Sequence, residues 1–318
     1  MASVLITGAS GLLGRAVRAA CAEVAAWPVT GLGLRRTAVG LDRLDLCDAR
    51  AVREYLDAKQ PRVIVHCAAE RRPDSSENAP DATMRLNVEA TARLAKWAAA
   101  NGAWLVFLST DYVFDGVTPP YSTAAATNPL NLYGRSKRDG ELAVWAATSD
   151  ACVLRVPLLY GDVETLEESV VTDLARQIRA AAGQPLPVDD WATRYPTLVD
   201  DVAVAIRQMI ERRLAEPEFR GTFHWSGDEP FTKCGMARVI AMLLALDPAA
   251  IYADPRPPSG APRPKDCHLD CSDLERLEIG RRTPLAGHRE DPAEVGVRAL
   301  SPSPRLRSGR GRRASSRR

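Results

Sequence analysis

Three glycines, at positions 8, 11 and 14, constrain the fold of this chain more than any other feature because of what stands on either side of them. Ahead of them, Val4-Leu5-Ile6 is a short apolar, β-branched run that reads as a strand. Behind them, an apolar-periodic stretch to residue 25 reads as a helix. Strand, glycine turn and helix in that order leave few folds open. The Gly-x-x-Gly-x-x-Gly spacing removes side chains where a backbone must turn tightly, approach a pyrophosphate and let a helix pack on a strand. The helix start, at Ser10, Gly11, Leu12 and Leu13, turns free N–H groups toward an anion. The plainer alternative is an ordinary strand-to-helix turn; the position behind an N-terminal strand favours nucleotide binding.

The same alternation continues along the chain. Residues 28–34 read as a glycine-broken strand, and a third short strand precedes Asp45. Residues 62–67, 104–109 and 151–156 read as strands, and 79–100 and 131–147 as helices. This is the rhythm of a parallel sheet covered on both faces. The expected fold class is α/β: a Rossmann-type doubly wound parallel sheet with a smaller C-terminal α/β lobe and a disordered basic tail. The expected boundaries are 1–160 for the dinucleotide-binding domain, 161–285 for the lobe, with a segment near 197–225 returning to the first domain, and 286–318 for the tail.

Ligands of such sheets bind at the carboxyl ends of the strands. Those ends carry Gly8, Arg35, Cys67-Ala68-Ala69 and Thr110-Asp111. The second strand ends in Leu34-Arg35-Arg36, where an NAD site would place an acidic residue for the ribose 2′-hydroxyl. Two guanidinium groups there suit a 2′-phosphate, so NADP is preferred over NAD; a solvated arginine pair is the alternative. Asp45-Leu46 is placed to flank an adenine.

Tyr133 and Lys137 fall at i and i+4 of the 131–147 helix, behind Thr110. On one helical face the ammonium can lower the phenol's pKa and make it a proton donor to a carbonyl. With Thr110 orienting the carbonyl and Lys137 holding the nicotinamide ribose, the set specifies hydride transfer from NADPH. A Tyr-x-x-x-Lys pair on its own is also an ordinary exposed helix pair.

The lobe is less legible. Trp191, Arg194 and Tyr195 could clamp a sugar nucleotide, with buried packing the stronger reading for the aromatics. Asp200 or Asp201 is a candidate N-cap for the next helix, and His224 reads as a hydrogen-bonded core residue of a strand over 222–225 rather than a catalytic base. At 318 residues and 46% hydrophobic, the chain can bury one large domain and a smaller one. No apolar run suffices for a membrane span and no signal peptide precedes the first strand, so a cytoplasmic protein is expected, with a nuclear pool open. Seven scattered cysteines argue for reduced thiols. Cys267-x-x-x-Cys271 has only His268 nearby, so no metal is expected. Residues 286–318 hold nine arginines against three acids, leaving 33 basic and 37 acidic residues in the rest. That tail could bind nucleic acid non-specifically, although a solvated end is the stronger reading.

The glycine spacing, Cys67-Ala68-Ala69, Asn87, Thr110 and Tyr133-x-x-x-Lys137 together resemble the extended short-chain dehydrogenases/reductases. Within them, residues 109–116 (Ser-Thr-Asp-Tyr-Val-Phe-Asp-Gly) and 129–134 (Pro-Leu-Asn-Leu-Tyr-Gly) resemble the dTDP-4-dehydrorhamnose reductases. Residues 66–74, 166–169, 223–227 and 269–272 are more specifically similar to the family of regulatory β subunits of methionine adenosyltransferase II. This resemblance implies a reductase-fold protein that binds NADP, attaches to the catalytic subunit making S-adenosylmethionine, and tunes its kinetics and product inhibition without being the synthetase. It also implies cofactor contacts from Ser10 to Leu13, Leu34-Arg35-Arg36, Asp45-Leu46, Cys67, Arg71, Tyr133 and Leu159.

Two departures stand out. Thr110 replaces a frequent serine but keeps the hydroxyl. The likeness ends just after Pro284, where the family continues with an apolar, aromatic-containing C-terminus that helps engage the catalytic subunit and this chain turns basic, as a spliced or frame-shifted end would. That departure bears directly on docking. Three functions therefore compete: a non-catalytic regulatory subunit, an NADPH-dependent reductase of a nucleotide-linked 4-keto sugar, and a basic-tailed nucleic-acid binder.

Overall fold

A computed structural model describes residues 2–34, 36 and 40–285; Arg35 and the 286–318 tail, on which parts of the sequence reading rest, lie outside the described residues. The chain opens with β1 (Val4–Thr7), fully buried, followed by the glycine turn and α1 (Leu12–Ala22). Next come β2 (Val29–Gly33), β3 (Leu41–Arg43), α2 (Ala49–Lys59) and β4 (Val63–His66). Asp48 caps α2, accepting from the N–H groups of Arg50 and Ala51.

The helix expected over 79–100 is present from Pro80 to Asn101, but one of its turns is wider than an α turn. The structure has α3 (Pro73–Asn78), α4 (Pro80–Met84), a π turn over Arg85–Glu89, and α5 (Ala90–Asn101). The widened turn holds Asn87, whose buried side chain accepts from Glu70 N (2.8 Å) and donates to Glu70 O and Ser136 Oγ (2.9 Å each). A side chain so engaged with the loop after β4 coincides with the departure from α geometry. Then follow β5 (Trp104–Thr110), α6 (Leu132–Ala147), which Asn131 caps through Gly134 N, and β6 (Ala151–Val156).

The remaining elements are β7 (Leu159–Tyr160), α7 (Val170–Ala181), β8 (Leu186–Asp189), β9 (Thr197–Leu198), α8 (Val199–Ala215), β10 (Gly221–His224), α9 (Lys233–Leu243), β11 (Ile251–Asp254) and α10 (Ser272–Glu275). Seven strands form one sheet in the order β10-β6-β5-β4-β1-β2-β3, every pair parallel. Strand order reverses beside β1, the point at which an open parallel sheet leaves a crevice. The chain is thus the doubly wound Rossmann-type α/β fold expected from its sequence.

One face of the sheet packs on α1 and α8: Val4, Ile6, Val17 and Cys21 share a core with Val202, Ile206 and Met209. The other face packs on α2, α5 and α6 through Leu56, Leu94, Phe107 and Val144. A third core joins α7 and α9 to β8 and β11, through Leu174, Ile178, Val188, Ile240 and Ile251.

Two local readings need correction. The residue before α8 is Leu198, with no side-chain cap, so neither Asp200 nor Asp201 is the N-cap. Asp201 is instead buried in the first turn, accepting from Arg281 Nε (2.8 Å), Thr283 N (2.6 Å) and Thr283 Oγ1 (3.1 Å). Its partners lie about eighty positions away in sequence, so a helix-start pattern could not reveal them. The seven cysteines are free thiols, and among the described residues no helix is long and apolar enough to cross a membrane.

Candidate functional site

The glycine turn is held closed by its own backbone: Gly11 N donates to Gly8 O (2.9 Å), and Gly8 adopts φ +66°. A Cβ on Gly14 would lie 2.2 Å from Gly8 O, and one on Gly8 would lie 2.7 Å from Ala68 N. No side chain fits there, so α1 begins as bare backbone with no side-chain cap at Gly11. Such a helix start has N–H groups free for an oxyanion.

This turn floors a cleft of about 590 Å³. Gly8, Ser10, Gly11, Leu12, Leu13 and Gly14 line it with Leu34, Arg36, Asp45, Leu46, Cys67, Arg71, Thr110, Tyr133, Lys137 and Leu159. Every catalytic and cofactor-contact residue expected from the sequence within the described chain therefore meets on one cavity, whereas Trp191 and Tyr195 of the candidate clamp do not line it. Leu46 is buried, whereas Leu34 stands half-exposed at the rim.

Thr110 ends β5, and its hydroxyl donates to Asp111 Oδ1 (3.0 Å) while accepting from Tyr112 N (3.2 Å). Tyr133 enters from the first turn of α6, edge-on to Tyr112 at 5.9 Å between ring centroids. Burial pushes the Tyr133 phenol up, opposed by the Thr110 hydroxyl and the Arg71 guanidinium. The expectation that Lys137 would lower this phenol is not met. Lys137 is itself buried, its Nζ lies 4.0 Å from the Phe107 ring centroid, and burial lowers its pKa to about 7 against the opposing charge of Glu141. Beneath it, His66 bridges Thr7 Oγ1 (2.7 Å) and Thr91 Oγ1 (3.0 Å), with a pKa pushed down to about 3 by burial and by Lys137. Tyr133 is thus a neutral phenol at physiological pH, able to donate a proton.

Arg36 is exposed, but it is not an isolated anion receptor. It pairs with Glu168, and its Nη1 also lies 3.2 Å from Glu164 Oε2. Arg15 joins the same carboxylate, Nη2 to Glu168 Oε2 at 2.7 Å, and Arg71 Nη2 donates to the Glu168 carbonyl at 2.6 Å. Sequence reasoning missed Glu168, Arg15 and their segment, because the partners are up to 153 positions apart.

At the far end of the cleft lie Asp111, Tyr112, Arg194, Lys233 and Arg263, also not anticipated as one group. Burial raises the Asp111 carboxyl to about 6, with Arg194 opposing. Arg194 lies 5.6 Å from the centroid of the Tyr112 ring. Tyr195 faces elsewhere, stacked on His268 at 4.3 Å. His224 is buried, accepts from Arg155 Nη1 (3.3 Å), and does not line the cleft; burial and Arg155 lower its pKa to about 4. Cys267 and Cys271 are buried thiols directed at the Phe114 and Leu269 carbonyls, and among the described residues no group of histidine, cysteine and acidic side chains could hold a metal ion.

Comparison with known proteins decides the family. The model for the RmlD substrate binding domain matches residues 1–287, nine-tenths of the chain. The chain belongs to this family. Within it, the chain is similar to methionine adenosyltransferase 2 subunit beta from Pongo abelii, 49% identical over 283 residues that span 89% of this chain and 84% of that protein. Among RmlD-like solved structures, dTDP-4-dehydrorhamnose reductase from Clostridium acetobutylicum superposes with a TM-score of 0.75 at 27% identity, covering 87% of this chain and 93% of that one. The Bacillus anthracis dTDP-4-dehydrorhamnose reductase, solved in complex with NADP, gives a TM-score of 0.72 at 26% identity over 89% and 94% of the two chains.

Proposed function

We propose that the chain is a regulatory subunit of methionine adenosyltransferase that binds NADP and modulates S-adenosylmethionine synthesis by a catalytic subunit. The observation that carries this reading is the identity of 49% across 89% of the chain with proteins named as that β subunit. In this reading residues 1–160 hold the dinucleotide and 161–285 form the smaller lobe. The cleft fits the cofactor on structural grounds: the side-chain-free cradle at Gly8 and Gly14 suits a pyrophosphate, and the Arg15 and Arg36 guanidinium groups suit a further phosphate. Ser10 to Leu13 would take the pyrophosphate, Asp45 and Leu46 would flank the adenine, and Tyr133 and Lys137 would face the nicotinamide ribose. NADP at concentrations far above its dissociation constant should add about 3–4 kcal/mol of stability in thermal unfolding. Sedimentation with the catalytic subunit tests the partner: one shared boundary is expected, and independent boundaries contradict the reading.

The second reading is an NADPH-dependent reductase of a nucleotide-linked keto sugar, favoured by Thr110, Tyr133 and Lys137 sharing one cleft. A bound reduced nicotinamide supplies hydride; the chain's part is to hold the carbonyl and donate a proton from Tyr133. Substrate-dependent loss of NADPH absorbance that disappears in Tyr133→Phe would establish it.

A further inference from the structure

The segment between β7 and α7 carries two carboxylates into the arginines beside the glycine turn. A second cavity of about 280 Å³, next to the large cleft, is lined by Ser10, Arg15, Arg18, Arg36 and Glu164. The two acids differ in kind, Glu164 lining this cavity and Glu168 the large cleft. Glu168 is buried and multiply bonded: it accepts from Arg15, Arg36 and Glu164 N (3.1 Å), and its carbonyl takes Arg71. Glu164 is 40% exposed, and its carboxylate reaches only the rims of the cluster, 3.2 Å from Arg36 and 3.7 Å from Arg15.

Resting on the cofactor reading above, we propose that Glu164 is a specificity-determining residue, an internal anion that occupies Arg36 until a 2′-phosphate displaces it. Among the described residues, Arg15 and Arg36 each contact both carboxylates, and Arg18 lines the cavity beside Glu164. A 2′-phosphate adds roughly two negative charges. The phosphate and the Glu164 carboxylate then compete as like charges for the same Arg36 guanidinium, and the half-exposed Glu164 is the one free to turn into water. Glu168 stays, since Arg15 and Arg36 hold its buried carboxylate and Arg71 its backbone carbonyl. A ribose 2′-hydroxyl brings no charge, so with NAD Glu164 keeps its place. The two dinucleotides thus leave residues 161–167 in different states, and Glu164 taxes NADP binding alone.

Calorimetric titration of NADP and NAD into the wild type and Glu164→Gln tests this, with hydrogen exchange of residues 161–167 as a second readout. The variant should bind NADP about three- to tenfold more tightly, the range for a partly exposed ion pair, and NAD within about twofold of wild type. In the wild type, exchange over 161–167 should rise with NADP and not with NAD. An unchanged NADP-to-NAD affinity ratio, or equal exchange with both nucleotides, overturns the proposal while leaving the cofactor reading standing. Failure of the wild type to bind either nucleotide overturns the cofactor reading and this proposal with it.

Discussion

At Gly14 a single methyl group decides whether the phosphate loop can form. A Cβ there meets the Gly8 carbonyl at 2.2 Å, a backbone atom that cannot swing aside. Gly14→Ala should cost about 1–3 kcal/mol of stability and abolish nucleotide binding, checked by denaturant titration and calorimetry. The three glycines were legible in the sequence because their role is local: turn, close approach and helix start all lie within eight residues. Tyr133 and Lys137 were legible as neighbours but not in their electrostatics, which depend on burial against Phe107 and His66. Lys137 has a folded pKa of about 7, well below its ordinary value of 10.5, so the unfolded chain binds more protons between those pH values and stability rises with pH across that window. Lys137→Met should flatten this rise, removing about 1–2 kcal/mol of the gain between about pH 7.5 and 9 in urea unfolding curves.

Between elements, one buried ion pair ties α6 to β6 beneath the cleft. Arg155 donates to Glu141 through Nε (2.9 Å) and Nη2 (2.7 Å), and Ser109 of β5 donates to the same carboxylate. Glu141→Leu alone leaves a buried guanidinium and should destabilise by about 3–5 kcal/mol. The double variant Glu141→Leu, Arg155→Met should recover most of that loss, which denaturant midpoints can read. Strand and helix order was legible at this scale, since apolar runs and periodicity are written along the chain. The π turn at Arg85–Glu89 was not, because Asn87 takes its partners from Glu70 and Ser136 rather than from its own helix. The same holds for Glu168, whose three arginines lie in α1 and in two loops distant from it in sequence.

For the whole molecule, a doubly wound sheet, a large cleft over the glycine turn and 49% identity to proteins named as a β subunit converge on the account proposed above: a reductase fold whose output is control of another enzyme. In that account the Thr110, Tyr133 and Lys137 set serves cofactor binding first. Tyr133→Phe should then leave the effect on S-adenosylmethionine synthesis within about twofold while weakening NADP binding, since removing one hydroxyl deletes one hydrogen bond. The direct test is the initial rate of S-adenosylmethionine synthesis by the catalytic subunit, measured with and without added product as this chain is titrated in. The account expects rate and product inhibition to change and then saturate at a fixed ratio of the two proteins. Kinetics that stay unchanged at every ratio would contradict it.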